Sequence, residues 1–355
     1  MKTSQLVRAC VVIVACSIVS TAQAITYGEQ DLHGEFPNVV FLRGILEGTP
    51  PTLPFARFNC SGSLLHIDLQ KIVILTAAHC TDIWKDEIAA GRLDTVAVSF
   101  DQNNLDDQQH FPLLTRYVRG GVPISLPEKD APFENLDYGL VVFSTTDRNP
   151  AGQTILDRWG STPGALTPVH VPPNVNYVPD LIDRVQHATA LLSFTAVGYG
   201  TGERFPIPGQ GGPANPNDPN DATSRIRYIA ARLSYNAYNP TKDVLRLGQN
   251  VALGENGTCT GDSGGPIFNE DGPLGRVQVA LVSGGDNVCR ATTAGPAFSR
   301  QEVFDFLSCA RIEGDASAVI QCVESKFGVA SKQVTELLSM PQMRSGGVGC
   351  HPEDR

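Results

Sequence analysis

The chain has 355 residues, 41% of them apolar, which is enough for a packed core and long for one small domain. Its net charge of −10 argues against a nucleic-acid partner, whose usual footprint is a basic stripe. With 34 glycines and 25 prolines, the composition points to many turns, as all-β folds need.

Residues 1–24 read as a secretory signal peptide. Lys2 and Arg8 give a positive start, and Ala9 to Val19 is an apolar run too short to span a membrane. Ala22-Gln23-Ala24 is a small-x-small cleavage site, so the mature chain is expected to begin at Ile25. A competing reading takes Ile13-Val14-Ala15-Cys16 as a loose lipoprotein box. No later run of about twenty apolar residues follows, so no membrane span is expected. The predicted location is secreted, either extracellular or periplasmic. There, most of Cys60, Cys80, Cys259, Cys289, Cys309, Cys322 and Cys350 should oxidise. Neither a C-x-x-C pair nor an H-E-x-x-H helix is present, and no metal or cofactor is predicted.

In chain order, Val39 to Leu42 is a β-rich run after Gly34-Glu35-Phe36-Pro37. Thr49 to Pro54, with three prolines, reads as a loop. Lys71 to Leu75 is an apolar strand ending in the small-residue turn Thr76-Ala77-Ala78, which leaves room for the His79 imidazole to face a cleft. Gly91 to Phe100 and Leu113 to Val118 read as strands. Asp137 stands just before the apolar strand Leu140 to Phe143. Asn149 to Pro179, rich in Pro, Gly and Asn, reads as a connection between two halves. Phe194 to Gly200 is a strand. Pro206 to Asn220 carries few apolar residues and reads as a surface loop. Arg225 to Leu233, Val244 to Leu247 and Val277 to Val282 resume strand patterns. Gln301 to Leu307 suits a helix, and Ala316 to Leu338 has helical apolar spacing.

The most informative stretch is Cys259-Thr260-Gly261-Asp262-Ser263-Gly264-Gly265-Pro266. A serine hydroxyl is a poor nucleophile unless a base takes its proton and donors stabilise the resulting oxyanion. The glycines let the backbone turn tightly, so that the amides of Gly261 and Ser263 can aim at one point. This octapeptide, together with Thr76-Ala77-Ala78-His79-Cys80 and the later Asp137-Tyr138-Gly139-Leu140, resembles the motifs of the chymotrypsin-like (trypsin-fold, S1-type) serine peptidases. The order His79, Asp137, Ser263 is also that of the chymotrypsin-type triad.

The resemblance covers roughly residues 25–308 and implies an all-β fold of two antiparallel six-stranded-type β-barrels with the active site between them. Barrel one would span about 25–150 and barrel two about 151–308, closed by a short C-terminal helix. Residues 309–355 would form a largely helical extension. The implied activity is that of a secreted serine endopeptidase working through an acyl-enzyme, with protein or peptide substrates and proteinaceous inhibitors as partners. Ser263 would be the nucleophile, His79 the base, Asp137 its orienter, and Gly261 with Ser263 the oxyanion hole. The resemblance further implies disulfides Cys60–Cys80 and Cys259–Cys289, and a substrate pocket at Gly257, Thr258, Ser283, Gly285 and Gly295. It also implies an ion pair between the Ile25 ammonium and Asp262. Gly284 stands where relatives carry Trp. The pairing among Cys309, Cys322 and Cys350 stays open. His33, His66, His110, His170, His187 and His351 show no catalytic context.

Two other readings use the same residues. One is a catalytically silent homologue that binds a partner. The other is an esterase or acyltransferase on the same triad. Asn59-Cys60-Ser61 and Asn256-Gly257-Thr258 are glycosylation sequons, meaningful only in a eukaryotic secretory pathway.

Overall fold

A computed structural model describes residues 28–46, 56–104, 116–127, 136–187, 193–200, 226–249, 256–271, 274–285, 289 and 291–328. The signal peptide, Ile25, the proline loop at 49–54, the first part of the 113–118 strand, residues 206–220 and Cys350 lie outside these residues.

The first half is a closed antiparallel barrel. Its strands are β2 (Val39–Ile45), β3 (Ala56–Ile67), β4 (Lys71–Thr76), β5 (Thr95–Ser99), β6 (Val118–Ser125) and β7 (Gly139–Ser144), in the spatial order β2-β3-β4-β7-β6-β5. Every residue of β4 is buried, including Lys71. The Lys71 ammonium survives burial because it donates to Asp68 Oδ2 at 2.7 Å and to the Ile312 carbonyl at 2.5 Å. The apolar β-branched run therefore packs on both faces, with Ile72, Ile74, Val141 and Phe143 fully buried.

The second half is one antiparallel sheet built from β8 (Ser193–Gly198), β9 (Tyr228–Asn239), β10 (Val244–Gly248), β11 (Pro266–Asn269), β12 (Val277–Leu281), β13 (Gly284–Gly285) and β14 (Thr292–Pro296). Its order is β12-β11-β8-β9-β10-β14-β13. The sheet curls until a single bridge, Ala280 to Ala297, joins the end of β14 to β12. The N-terminal strand β1 (Glu29–Gln30) crosses over and pairs with β9. The architecture is thus the all-β, two-sheet arrangement that the motifs implied.

Three helical segments differ from the reading of the sequence. His79 follows no simple turn: it sits in the first turn of helix α1 (Ala78–Ala89). The Pro/Gly-rich connection holds two helices, α2 (Ile155–Trp159) and α3 (Tyr177–His187). Helix α2 starts on a capping box, in which the Thr154 side chain accepts from Asp157 N–H and the Asp157 carboxylate accepts from Thr154 N–H. Helix α3 buries Val178, Leu181 and Ile182 at i, i+3, i+4 spacing. Its Pro179 lies in the first turn, where no intrahelical bond is lost. Near the C-terminus, α4 (Gln301–Cys309) and α5 (Ala316–Phe327) are joined by a Cys309–Cys322 disulfide.

Candidate active site

The site forms where both sheets present loop ends. Helix α1 begins with Ala77 at its N-cap, a residue with no side-chain oxygen to satisfy the first amides. Asp137 supplies that oxygen from another segment. Its Oδ1 accepts the His79 backbone N–H at 2.7 Å, and its Oδ2 accepts the His79 ring Nδ1 at 2.8 Å. A carboxylate at a helix N-terminus is also favoured by the helix dipole. One group therefore caps the helix and orients the ring. With Nδ1 donating to a carboxylate, Nε2 is left as the acceptor, which is the tautomer a general base requires.

The Ser283 hydroxyl donates to the same Oδ2 at 2.5 Å. Burial alone would raise the Asp137 carboxyl. The hydrogen bonds and charge of His79, together with Ser283, hold it below the usual carboxylate value instead. Asp137 stays ionised and nearly buried, while His79 is 29% exposed toward the cleft.

Ser263 sits in a loop cross-tied from both halves. Within the loop, Asp262 N–H donates to Cys259 C=O and Gly265 N–H to Asp262 C=O. Gly264 N–H and Gly265 C=O pair with Val282. From the first barrel, Ser61 N–H donates to the Ser263 carbonyl at 2.8 Å. The Ser61 hydroxyl donates to Gly261 C=O at 3.0 Å while accepting Tyr199 N–H at 2.8 Å. Gly261 and Gly264 have φ of +96° and +80°. A Cβ on Gly264 would lie 2.0 Å from Thr76 Oγ1, so only glycine lets this loop press against the strand that leads to His79. Neither the Gly261 nor the Ser263 amide donates to another backbone group among the described residues.

Asp262 points inward and is fully buried. Its two oxygens accept from Gly200 N–H and Cys259 N–H, each at 2.8 Å. Burial pushes its carboxyl up to about 7, with those two amides pulling the other way. The proposed partner, Ile25, lies outside the described residues.

Of the residues expected to form a substrate pocket, Ser283 and Gly285 run beside β14, where Gly295 packs its Cα against the Leu281 carbonyl. Gly257 and Thr258 lie opposite a residue with no warning signal in the sequence, Gln249. A Cβ on Gly257 would fall 2.0 Å from the Gln249 carboxamide carbon. The Gln249 amide nitrogen donates to Thr258 C=O at 3.2 Å and to Thr293 Oγ1. The space of a side chain at 257 is thus filled by a neutral amide arriving from the end of β10. Ser61, between Cys60 and Gly62, and Tyr199, at the end of the Phe194 to Gly200 strand, carry no chemical signal in the sequence that marks them as ties to the serine loop.

Cys60 is bonded to Cys80 and Cys259 to Cys289. The described residues contain one grouping of metal-type ligand atoms, Cys60, His79 and Cys80, within 4.8 Å of one another. Both sulfurs are spent in a disulfide and offer no thiolate.

The described residues thus hold a histidine–carboxylate pair, His79 with Asp137, and a glycine-rich loop carrying Ser263. Residues 193–307 match the family model described as Trypsin, which bears out the resemblance to chymotrypsin-like serine peptidases. No curated protein matches the chain. The chain is similar to the crystal structure of AL20, a thermostable serine protease from an extremophilic microorganism. Identity there is 14%, covering 84% of this chain and 100% of that one, with a TM-score of 0.45. It is also similar to the protease Anisep from Arthrobacter nicotinovorans, at 15% identity, covering 82% and 99%, with a TM-score of 0.43. The family match supports a serine peptidase acting on peptides. No helix among the described residues is long and apolar enough to cross a membrane.

Proposed function

We propose that the protein is a secreted serine endopeptidase that uses Ser263, His79 and Asp137. The observation that carries this reading is the pair of hydrogen bonds that one histidine, His79, donates to Asp137 through its backbone N–H and its Nδ1. His79 Nε2 takes the Ser263 hydroxyl proton as Oγ attacks a peptide carbonyl. The Gly261 and Ser263 amides receive the oxyanion. His79 then returns the proton to the leaving amine, and water hydrolyses the acyl-enzyme by the reverse sequence. Asp137 holds the tautomer and stabilises the imidazolium, and Ser283 holds Asp137.

Activation follows from Asp262. A buried carboxylate without a cation is costly, and the ammonium of Ile25, released when the signal peptide is cut after Ala24, would supply one. Because the cleavage site adjoins Ile25 directly, signal cleavage alone would activate the enzyme. The pocket floor at Gly257, Thr258 and Gln249 offers no carboxylate, so bonds after Arg or Lys should be cut worse than bonds after apolar or aromatic residues.

A serine-directed phosphonate tests the chemistry. The expected result is a single adduct at Ser263, absent in Ser263→Ala, alongside casein digestion by the wild type. A folded protein that resists the label is a silent homologue. A labelled protein that turns over esters but no peptide is an esterase.

A further inference from the structure

Continuous with the expected substrate pocket, and sharing Ser283, Gly285 and Gly295 with it, lies a cleft of about 680 Å³. It opens over β9, β10, β14 and β13, and Ser283, Gly284, Ala294, Pro296, Lys242 and Arg246 line it. The strand registers explain its shape. Ala237 stands opposite Arg246, Arg246 opposite Ala294, and Ala294 opposite Gly284. Residues directly opposed in an antiparallel sheet share a face, so these four form one row. Three of them are small, and a Cβ on Gly284 would meet nothing within 4 Å. The floor is therefore low from Gly284 as far as the Arg246 side chain.

Two further facts say what lies there. Strand β13 is exposed, and among the described residues it pairs only with β14, leaving its other edge to accept an extended peptide. It leaves Ser283, which is bonded to Asp137, so a peptide on this edge leads into the reacting centre. Every pairing in the sheet is antiparallel. A strand added in the same sense runs from Gly285 toward Ser283, and its residues over the cleft precede the bond that reaches Ser263. Arg246 is exposed and makes no ion pair among the described residues, in a chain of net charge −10. Lys242 is the other charged group lining the cleft. The adjacent carboxyl, Asp243, is buried and turned to the hydroxyls of Tyr238 and Ser299.

We propose that this groove is a subsite for a glutamate side chain on the amino-terminal side of the cleaved bond, with Arg246 as the residue that selects it. The inference rests on the peptidase reading above. An added strand would lie three strand spacings, roughly 14 Å, from the Arg246 backbone. The arginine stem and a glutamate side chain, extended toward each other and joined by a charge-assisted bond of ~2.8 Å, bridge that span over Ala294 and Gly284. Aspartate, one methylene shorter, fits less well.

The test is kcat/KM on matched peptides carrying Glu, Gln or Lys at each of the four positions before the cleaved bond. It is run with wild type, Arg246→Ala and Arg246→Glu, after checking that phosphonate labelling of Ser263 is equal in all three. The expected result is a Glu-over-Gln preference of roughly three- to ten-fold at one of these positions, the scale of a partly exposed charge pair. That preference should shrink with added salt, vanish in Arg246→Ala and turn to Lys in Arg246→Glu. A Glu/Gln ratio that is flat, or unchanged in Arg246→Ala, overturns the subsite and leaves the peptidase reading standing. A folded wild type that cleaves no peptide overturns the peptidase reading, and the subsite with it.

Discussion

The first barrel closes through six strands in continuous ladders, whereas the second sheet meets itself at one bridge, Ala280 to Ala297. On the proposed mechanism, the two halves also carry different parts of the chemistry. His79 and Asp137 flank β4 and β7, strands buried along almost their whole length. Ser263 lies in a glycine-rich loop whose bonds run largely outward, to Ser61 in the closed barrel and to Val282. The proposed base and its orienter are thus rigid by construction, and the proposed nucleophile is rigid by attachment. Changes to the triad should act on rate, and changes to the attachments should act on stability and rate together.

The largest effect expected is on rate. Ser263→Ala should lower kcat on a peptide substrate by roughly 10⁴–10⁶ with little change in melting temperature. Asp137→Asn should cost about 10⁴ by favouring the wrong histidine tautomer. A variant that keeps near-normal turnover in either case would remove these residues from the mechanism.

Next comes the seam between the halves. Arg227, buried just before β9, donates to Asp31 at 2.7 Å and contacts the Val39 carbonyl and the Tyr199 hydroxyl. Asp31→Ala leaves that guanidinium buried without its carboxylate, and about 3–5 kcal/mol of stability should be lost in chemical denaturation. A loss below 1 kcal/mol would mean that the seam is not a brace.

Gly264→Ala probes the attachment itself. A non-glycine residue at φ of +80° is strained by roughly 1–3 kcal/mol, and the added carbon collides with Thr76. Both the unfolding midpoint and kcat should fall. A drop in one alone would separate loop position from loop stability.

The smallest effect expected is a pH signature. The folded carboxyl of Asp262, near 7, lies above its unfolded value of 3.8. The folded chain therefore holds a proton that the unfolded chain has released. The associated stability is full below about pH 4 and is lost as pH rises through 7. An Ile25 ammonium would supply the missing charge and flatten this decline. Urea midpoints from pH 4 to 8 should fall for a chain carrying one extra residue before Ile25 and stay level for a chain starting at Ile25. Parallel curves would argue against the pairing.

The sequence made the base strand, the serine loop and the terminal helix legible because each combines a strong periodicity with a short, specific motif. Lys71 to Leu75 and Gln301 to Leu307 are examples. It hid the helices at 155–159 and 177–187, since Pro and Gly density there masked a capping box and a three-residue apolar face. It hid Gln249 for a different reason: the meeting of its carboxamide with Gly257 depends on how the chain returns from the end of β10, and nothing local to either residue encodes that contact.

Residues 311–313 and Asp315, on the link between α4 and α5, are exposed, while the disulfide Cys309–Cys322 brackets the whole link. Lys71, from the first barrel, grips the link at the Ile312 carbonyl. On the endopeptidase reading proposed above, each copy shares its solution with other copies, and such a link is a natural place for one to nick another. A break between 309 and 322 does not release α5, because the two fragments remain one covalent body. The bridge makes damage at this point survivable wherever the surroundings are oxidising, and fatal to the attachment of α5 only where a reductant is at hand.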